Sequence, residues 1–326
     1  MLTSREVRID SVAGGPREMV RGAGSTDGAI DLGWLGQAGF LVQTAGHVVL
    51  IDPYLSDSLA KKYRGQEFSY ERLMPVPISI AEIGRIDAVL CTHRHCDHMD
   101  PETLAAVTAR HPACRFVVPA AELNHALAIG LPAERVLPID AGQSVSLSEE
   151  GRAPHDLVVT AVAAAHETLE RDDSHRHRFL GYVIETEGLA VYHSGDTVVY
   201  PGLAENLAGL SIDLALLPVN GRDAQRTSRG VPGNMTADEA LRLCNAVGIP
   251  LLVPHHFGMF AFNTASPADL DLLRSAGRSS PGQAAVLAVL PDLDHHLRLQ
   301  ARQSEQSDLK RRPAAESSGG HVPMTP

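Results

Sequence analysis

The sequence predicts an α/β (α+β) fold in which two mixed β-sheets pack together and helices cover them. Short apolar runs of strand length alternate with segments of helical periodicity over most of the chain. In both halves, pairs of such runs are separated by only a few residues, which predicts hairpins. The 326 residues show no internal repeat and can bury a substantial core. We therefore expect one large domain rather than two.

The strands are predicted from runs rich in Val, Ile, Leu and Ala. FLVQT and HVVLID flank the turn residues Ala45 and Gly46 and predict one hairpin, and LGYVIET followed by LAVYH predicts another. The predicted strands cover residues 40–44, 47–52, 87–92, 115–118, 156–164, 180–186, 189–193, 213–218, 250–254 and 284–290.

Three helices are predicted from capping residues and periodicity. Asp100 as N-cap and Pro101 in the first turn predict a helix over 101–110. Thr236 and Glu239 form a capping box for a second helix, over 236–248. A third helix is predicted at 267–276.

Both ends of the chain are predicted to be loose. Residues 1–28 are rich in Gly, Ser and Arg, and we expect a flexible segment there. Residues 303–326 are polar and rich in Pro, Gly and Ser, so they lack the apolar content that would offset their ordering entropy. The domain is therefore expected to span residues 29–302, with a disordered tail after it.

Composition restricts the partners and the compartment. The net charge of −11 argues against a nucleic-acid partner, because binding phosphates needs a basic surface. No apolar run approaches the roughly 20 residues of a membrane span, and the N-terminus lacks the apolar core of a secretory signal. The four cysteines show no paired spacing, which indicates free thiols in a reducing compartment. We expect a cytoplasmic protein without a membrane partner, and homo-oligomerisation is compatible with the sequence.

The stretch CTHRHCDHMD, residues 91–100, predicts a metal site. His93 and His95 lie two residues apart at the end of a predicted strand, so both imidazoles point to the same side and can reach one cation. Asp97 and His98 follow where the chain turns towards the next helix, and they can face a second cation. Nitrogen and carboxylate ligands without thiolate suit zinc in a catalytic site, and also manganese or iron.

Further ligands are predicted at the ends of other strands. His166 closes an apolar run and could supply a third nitrogen to the first cation. Asp196 lies in a tight turn in YHSGDT, where a carboxylate could bridge two cations. His255 and His256 follow the strand PLLVP. Taken singly, each of these histidines is also compatible with a structural residue bonded to the backbone.

The order of these motifs resembles the metallo-β-lactamase superfamily. H-x-H-x-D-H is followed by a histidine, by S-G-D and by a histidine near the C-terminus. LGWLGQAGFLVQTAGHVVLIDPYLSDS resembles the opening hairpins of that fold. YHSGDT, LLPVNGRD, GNMTADEALRL and VPHHFGMFAFNT resemble the branch typified by the L-ascorbate-6-phosphate lactonases. The resemblance implies a four-layer αββα sandwich with a two-metal site at one edge of the sheets.

The resemblance also implies an arrangement of ligands around two divalent ions, Zn²⁺ or Mn²⁺, with Fe²⁺ also allowed. One ion would be held by His93, His95 and His166, the other by Asp97, His98 and His256, with Asp196 between them. The last histidine of the family pattern lies two residues after a proline, which favours His256 over His255.

Two departures from related branches refine this interpretation. Met99, Asp100 and Pro101 follow the motif, where true β-lactamases and glyoxalases have glycines, and this fits the lactonase-like branch. The glutamate that replaces the second histidine in the di-iron flavoproteins is absent, which argues against redox chemistry.

The implied function is a metal-dependent hydrolase that uses a metal-activated water on a small anionic lactone or ester, such as a sugar-phosphate lactone. Asp97 would orient the nucleophile or protonate the leaving oxygen. His193 and Asp52 are expected behind the ligands, and Arg222 and His177 are expected to contact substrate. Residues 58–73 are expected to form part of a lid, and His175, Arg226 and Arg229 are weaker candidates for substrate contacts.

Two other functions remain open at this point. One is a phosphodiesterase or nuclease of the same fold, against which the net charge of −11 argues. The other is a metal-binding scaffold without turnover, against which the complete ligand set argues, because a structural role does not need a second, open metal position.

Overall fold

Two mixed β-sheets, of eight and seven strands, make up the centre of the protein. The computed structural model describes residues 6–22, 25, 28–148, 156–276 and 286–301. The sheets pack face to face, with helices on the outside, and this arrangement confirms the predicted α/β (α+β) class and the αββα sandwich.

The first sheet has the strand order β1-β15-β2-β3-β4-β5-β6-β7. Its pairs from β1 to β4 are antiparallel, and those from β4 to β7 are parallel. The strands are β1 (Val7–Ala13), β2 (Ala29–Gly36), β3 (Gly39–Gln43), β4 (Val48–Ile51), β5 (Ala88–Leu90), β6 (Arg115–Pro119), β7 (Val136–Ile139) and β15 (His295–Ala301).

The second sheet has the order β14-β13-β12-β11-β10-β9-β8. Its pairs from β8 to β11 are antiparallel, and those from β11 to β14 are parallel. The strands are β8 (Ser144–Ser146), β9 (Val158–Ala163), β10 (Leu180–Thr186), β11 (Leu189–His193), β12 (Leu214–Pro218), β13 (Leu251–His255) and β14 (Leu287–Ala288).

Side-chain alternation along the strands separates two cores. On β3, Phe40 and Val42 join the large cluster between the sheets, whereas Leu41 faces the helical side. Val89 on β5 also faces the helical side, between two residues that face the second sheet. Successive strand residues point to opposite faces, so a strand that is buried on both sides must be apolar at nearly every position. This explains the continuous apolar runs in the sequence.

The helices cover the outer faces, and α3 and α7 begin at the predicted caps. Asp100 accepts hydrogen bonds from the backbone of Glu102 and Thr103, and Thr236 forms a capping box with Glu239. Within the described residues, none combines the length and apolar character needed to cross a membrane. The helices are α1 (Pro16–Arg21), α2 (Ser58–Lys62), α3 (Pro101–Arg110), α4 (Leu123–Ala128), α5 (Leu203–Ala208), α6 (Ala224–Ser228), α7 (Ala237–Val247) and α8 (Pro267–Ser275).

Most predicted elements agree with the structure to within two residues at either end. The strand predicted at 284–290 is an exception: only β14 is formed, and residues 284–285 lie outside the described residues. Strands β1, β2, β7, β8 and β15 were not predicted from their own sequences. β8 and β15 contain polar residues throughout, because each has positions that face solvent.

The prediction of a flexible segment over residues 1–28 is wrong for much of its described part. Strand β1 pairs with β15 in antiparallel register from Val7 opposite Ala301 to Ala13 opposite His295. Val7 is buried and joins the core between the sheets. The low apolar content was misleading because backbone hydrogen bonds to β15, rather than side-chain burial alone, hold this strand. The predicted tail, 303–326, lies outside the described residues.

Deleting residues 1–13 is expected to lower the free energy of unfolding by about 2 kcal/mol or more, since burying one Val side chain alone contributes about 1.5–3 kcal/mol. Deletion of residues 1–5, which leaves β1 intact, is the control. Denaturant unfolding of the three proteins measures the difference. Equal stability of the full chain and the longer deletion would show that β1 contributes nothing.

The fold brings five strand ends to one edge of the sandwich. Loops that follow β4, β5, β9, β11 and β13 carry the polar residues of the predicted site. Four of these strands, β4, β5, β11 and β13, belong to the parallel parts of their sheets. Carboxyl ends of neighbouring parallel strands meet at the same edge, and for this reason residues distant in sequence become neighbours here.

Candidate metal centre

Seven side chains from four loops converge at this edge. Three groups of potential ligand atoms form, and within each group all the atoms lie within 4.8 Å of one another. The groups are His93, His95 and His166; His93, His98 and Asp196; and Asp97, His98 and His256. All seven residues predicted as ligands are thus brought together.

The loop after β5 presents two neighbouring imidazoles to one point. The Nε2 atom of His93 and the Nδ1 atom of His95 are 3.0 Å apart. The backbone N–H groups of His98 and Met99 both donate to the carbonyl of His95, so the loop closes as a tight turn before α3. His93 is buried and His95 is exposed, and the cluster therefore has one side open to solvent.

Asp52, at the end of β4, holds this loop from behind. Its Oδ1 atom accepts a hydrogen bond from the backbone N–H of Thr92 at 2.8 Å, and its Oδ2 atom accepts one from the Thr92 hydroxyl at 2.6 Å. The same Oδ2 atom lies 2.7 Å from Nδ1 of His98. Nε2 of His98 is therefore left facing the cluster. Asp52 lies behind this predicted ligand, where a residue that orients a ligand would be found.

Asp196 lies between the groups. Its Oδ2 atom is 3.1 Å from Nε2 of His256, 3.4 Å from Nε2 of His98 and 3.5 Å from Nε2 of His166. The preceding Gly195 has φ +61°, and a Cβ atom there would lie 2.7 Å from the carbonyl oxygen of Leu180 and 2.8 Å from Cβ of Thr92. Only glycine fits at this position, which explains the S-G-D sequence.

Three residues at the site have left-handed backbone conformations: Gln37 at φ 51°, Asp52 at 43° and His256 at 62°. Such conformations cost free energy in residues other than glycine, and they concentrate at functional sites. The backbone N–H of His256 donates to the carbonyl of Gln37, which couples two of them.

Gln37 is a site residue that the sequence analysis missed. It is fully buried, its Nε2 atom donates to Oδ2 of Asp97 at 3.0 Å, and the same atom lies 3.2 Å from Nε2 of His256. A neutral amide between β2 and β3 gives no chemical signal in the sequence. Its importance arises only because the tight turn brings it against two loops from elsewhere.

The cluster combines neutral imidazoles, an ionised carboxylate and one charged imidazole: burial lowers the pKa of His98, but the carboxylates of Asp196 and Asp52 outweigh burial and raise this pKa well above its usual value. Burial lowers the pKa of His93 well below its usual value, and burial also lowers the pKa of His166, to about 4. Burial raises the pKa of Asp196, but the facing imidazoles of His256 and His98 outweigh it and hold this pKa well below the usual range. Neutral histidine and ionised aspartate are the forms that bind metal.

The donor set of the cluster fits divalent cations. Oδ1 of Asp196 is buried and has no hydrogen-bond partner among the described residues, and the buried Nε2 of His98 has only a 3.4 Å contact with Oδ2 of Asp196. Buried polar atoms are almost always paired, so Oδ1 of Asp196 needs a partner that the described part of the chain does not supply. The potential ligands are imidazole nitrogen and carboxylate oxygen, which suit zinc, manganese or iron.

Replacing Asp52 with asparagine is expected to weaken metal binding about 10- to 100-fold, because the amide loses the charge that orients His98. The control is Asp31→Asn, since Asp31 is equally buried but pairs with Arg298 at 2.7 Å, outside the predicted ligand set. Metal competition with a chromophoric chelator measures the affinity. Equal losses in both variants would mean that Asp52 acts only through stability.

Two residues predicted to contact substrate have other roles. Arg222 forms a bidentate ion pair with Glu239, with both distances 2.6 Å, and His177 Nδ1 lies 2.9 Å from Oδ1 of Asp140. Neither lines the cleft described below. The sequence could not reveal these partners, because the carboxylate that pairs with each residue is distant in the chain and is brought to it only by the fold.

His193 and His255 lie beneath the cluster and do not point into it. The ring nitrogens of His193 bond the backbone: Nε2 donates to the carbonyl of Ala38, and Nδ1 accepts from the N–H of Gly195. His193, which was predicted to lie behind the ligands, thus holds the loop backbone that precedes Asp196. The ring of His255 stacks on that of His193 at 4.7 Å.

A cleft of 460 Å³ opens over the cluster. His95, Asp97, His166, Asp196 and His256 lie on its wall. Four residues of the segment 58–73, which was predicted to form part of a lid, line the cleft: Leu59, Lys62, Tyr63 and Tyr70. This volume is in the range of small-molecule sites.

The fold and the site define the class of protein. A family model described as the Beta-lactamase superfamily domain matches residues 47–257, and the chain belongs to this metallo-β-lactamase superfamily. It is 26% identical over 251 residues to a protein of Rubrobacter xylanophilus named as a metal-dependent hydrolase, covering 75% of this chain and 88% of that protein.

Three further proteins are similar to this chain in sequence or in fold. A protein of Escherichia fergusonii named as a probable L-ascorbate-6-phosphate lactonase is 26% identical over 208 residues, covering 62% of this chain and 57% of that protein. The chain spans 66% of the length of a Mycobacterium tuberculosis relative to which it is 27% identical. The solved structure of Igni18, a metallo hydrolase from Ignicoccus hospitalis, shares the fold with a TM-score of 0.57, 19% identity and coverage of 83% and 98%.

Proposed function

We propose that this protein is a metal-dependent hydrolase of a small anionic ester or lactone, with two divalent cations held by the seven converging residues. The observation that carries the proposal is Asp196, whose Oδ2 atom faces histidines of both predicted ligand sets on the wall of an open cleft. The relatives named as metal-dependent hydrolases support it. Cations bound here would supply Lewis acidity and lower the pKa of a water molecule.

His93, His95 and His166 would hold one cation, and Asp97, His98 and His256 the other. Zn²⁺ and Mn²⁺ suit these donors best, and Fe²⁺ is also compatible. The cytoplasmic location and the absence of a nucleic-acid or membrane partner stay predictions from the sequence.

Asp97 is the residue that would move a proton. Its side chain is 18% exposed, against 3% for Asp196, so it is the carboxylate that a substrate in the cleft can reach. Burial raises its pKa, but the imidazoles of His98 and His256 outweigh burial and leave the pKa lower than usual. Asp97 is therefore ionised at neutral pH and can accept a proton from the attacking water and return it to the leaving oxygen. Gln37 would keep the carboxylate oriented.

The size of the cleft and the net charge argue against a nuclease, and the exposure of one predicted ligand argues against a scaffold. A phosphodiester in nucleic acid needs an extended basic groove, whereas this chain carries a net charge of −11 and the cleft holds 460 Å³. A scaffold without turnover needs no ligand that faces solvent, yet His95 is exposed.

Removing metal is expected to abolish hydrolysis. The protein would be purified without chelators or a polyhistidine tag, and its metal content measured by elemental mass spectrometry. We expect close to two equivalents per chain, turnover of lactones or aryl esters, loss of activity after dialysis against a chelator, and recovery with Zn²⁺ or Mn²⁺. Turnover of bis(4-nitrophenyl) phosphate in preference to every ester would favour the phosphodiesterase, and a metal-loaded protein that cleaves none would favour the scaffold.

A further inference from the structure

Three nitrogen-bearing side chains line the cleft beside the metal ligands without belonging to them. Lys62 ends α2, Arg94 lies between His93 and His95, and His125 lies on α4. All three line the same 460 Å³ cleft as Asp196. They come from three separate elements, so the fold rather than the local sequence brings them to one cleft.

The three side chains lie close enough to influence one another. Burial lowers the pKa of His125 most, the charge of Glu122 raises it, and the positive charges of Arg94 and Lys62 lower it further. Lys62 and Arg94 carry positive charge, and His125, with its lowered pKa, adds a neutral ring nitrogen. Because all three line one cleft, we call them together the cationic rim.

Lys62 lacks the carboxylate partner that its neighbour has. Its Nζ atom lies 3.8 Å from Sγ of Cys96 and 5.1 Å from the ring centre of Tyr63, and within the described ranges it forms no ion pair. The adjacent Lys61, by contrast, pairs with Glu102 at 2.7 Å. The charge of Lys62 is thus available to a ligand in the cleft.

The positive charge of Arg94 is only weakly compensated by a nearby carboxylate. Its Nη1 atom is 4.0 Å from Oε2 of Glu122, and the other oxygen of that carboxylate accepts a hydrogen bond from Arg178 at 2.9 Å. The arginines of the 220–230 loop differ, since Arg222 and Arg229 each pair with a glutamate of their own at 2.6–2.7 Å.

We propose that the cationic rim binds the anionic group of the substrate, a carboxylate or phosphate, while the ester or lactone carbonyl faces the metal ligands. This inference rests on the proposed hydrolase function. Lys62 and Arg94 supply charge-assisted hydrogen bonds, and His125 supplies a further ring nitrogen. In a chain with a net charge of −11, a local positive surface at the cleft also attracts anionic substrates.

Aromatic rings on the wall of the cleft indicate what the uncharged part of the substrate would be. Tyr63, Tyr70 and Phe260 line the same cleft, with ring centres 4.5 Å apart for Tyr63 and Tyr70 and 5.2 Å apart for Tyr70 and Phe260. Aromatic faces favour apolar or ring-shaped groups over extended polar chains. The substrate class is a small ester or lactone that carries one anionic group and a compact apolar or ring-shaped body.

The test compares an anionic substrate with its neutral methyl ester, and each rate is corrected for the uncatalysed reaction, because a free glutarate carboxylate also attacks its own activated ester. The metal-loaded protein is assayed with 4-nitrophenyl hydrogen glutarate and with its neutral methyl ester. The wild-type protein is expected to favour the anionic substrate in kcat/KM. Lys62→Met is expected to lower the anionic-to-neutral ratio about 10- to 100-fold, mainly through KM, since a hydrogen bond to a charged group is lost in ground and transition states alike.

Lys61→Met is the matched control, because it removes the neighbouring charge that Glu102 already neutralises. Arg94→Met should act like Lys62→Met, and metal content is measured in each variant to exclude loss of ligands. Glycerol 3-phosphate and glutarate, tested as inhibitors of neutral-ester turnover, distinguish phosphate from carboxylate. The proposal is overturned if the ratio is the same in the wild type, Lys62→Met and Lys61→Met.

Failure of the hydrolase proposal would be seen separately. If the wild type cleaves neither ester, titration calorimetry of glutarate and of glycerol 3-phosphate into the metal-loaded protein tests the rim alone. Binding that weakens at least about 10-fold in Lys62→Met but not in Lys61→Met supports the anion site. Affinities unchanged by Lys62→Met, or no binding of either anion, would refute it.

Discussion

Replacing Asp196 with asparagine is expected to remove most of the bound metal and to lower hydrolysis by more than about 100-fold, since even loss of a residue that only orients a ligand costs about 10- to 100-fold. The asparagine has nearly the same shape, but it lacks the charge that faces His98, His166 and His256. Both predicted ligand sets lose a shared anion, and two cations close together would then repel each other without compensation.

The control for this variant is Asp140→Asn. Asp140 contacts the ring and backbone N–H of His177, outside the cleft. Metal per chain is measured by elemental mass spectrometry and turnover on the best ester, with circular dichroism to show that each variant is folded. Retention of two metals and full activity in Asp196→Asn would refute its placement between the cations.

His256→Ala is expected to reduce metal binding about 100-fold or more, and His255→Ala is expected to leave it nearly unchanged. Nε2 of His256 is 3.1 Å from Oδ2 of Asp196 and faces the cluster. The ring of His255 instead packs flat against His193, with an interplanar angle of 8°, and contacts the edge of Phe40. His255 is the last residue of β13, His256 follows it with a left-handed backbone at φ 62°, and the two side chains point to different sides.

The free energy of unfolding should be lowered more by His255→Ala than by His256→Ala, which is the opposite of the order expected for metal binding. His255→Ala leaves a cavity beneath the site, and we expect it to lower the free energy of unfolding by about 2 kcal/mol. His256→Ala removes a side chain at the wall of the cleft and should cost less in the metal-free protein. Metal affinity and denaturant unfolding of both variants measure the two effects. Loss of metal in His255→Ala but not in His256→Ala would place the ligand one residue earlier.

The ligand-bearing loops were predictable because chemistry and spacing coincide in them. Three histidines and an aspartate within residues 93–98 have few explanations other than a metal, and the end of a strand is where such groups can converge. The strand β1 was not predictable in the same way. Its sequence, VRIDSVA, alternates only over its first four residues and stands in a segment rich in Gly, Ser and Arg, and its position is decided by β15, which lies almost 300 residues later.

Substrate-contacting residues were the weakest part of the sequence prediction. The sequence alone drew attention to Arg222 and His177 because they are charged or titratable and lie in loops near motifs. In the structure Glu239 and Asp140 hold them. Lys62 and Arg94 line the cleft instead, and only the positions of their neighbours distinguish them from the other cations.

The sequence by itself determined the fold class, the family resemblance and the set of candidate ligands, because apolar periodicity and the spacing of rare residue types are local properties. Tertiary structure decided the rest: the place of Asp196 between two ligand groups, the inclusion of Gln37, and the assignment of cations to partners or to the cleft. These depend on distances between residues far apart in the chain. Such distances are set by the packing of two sheets and not by any one segment.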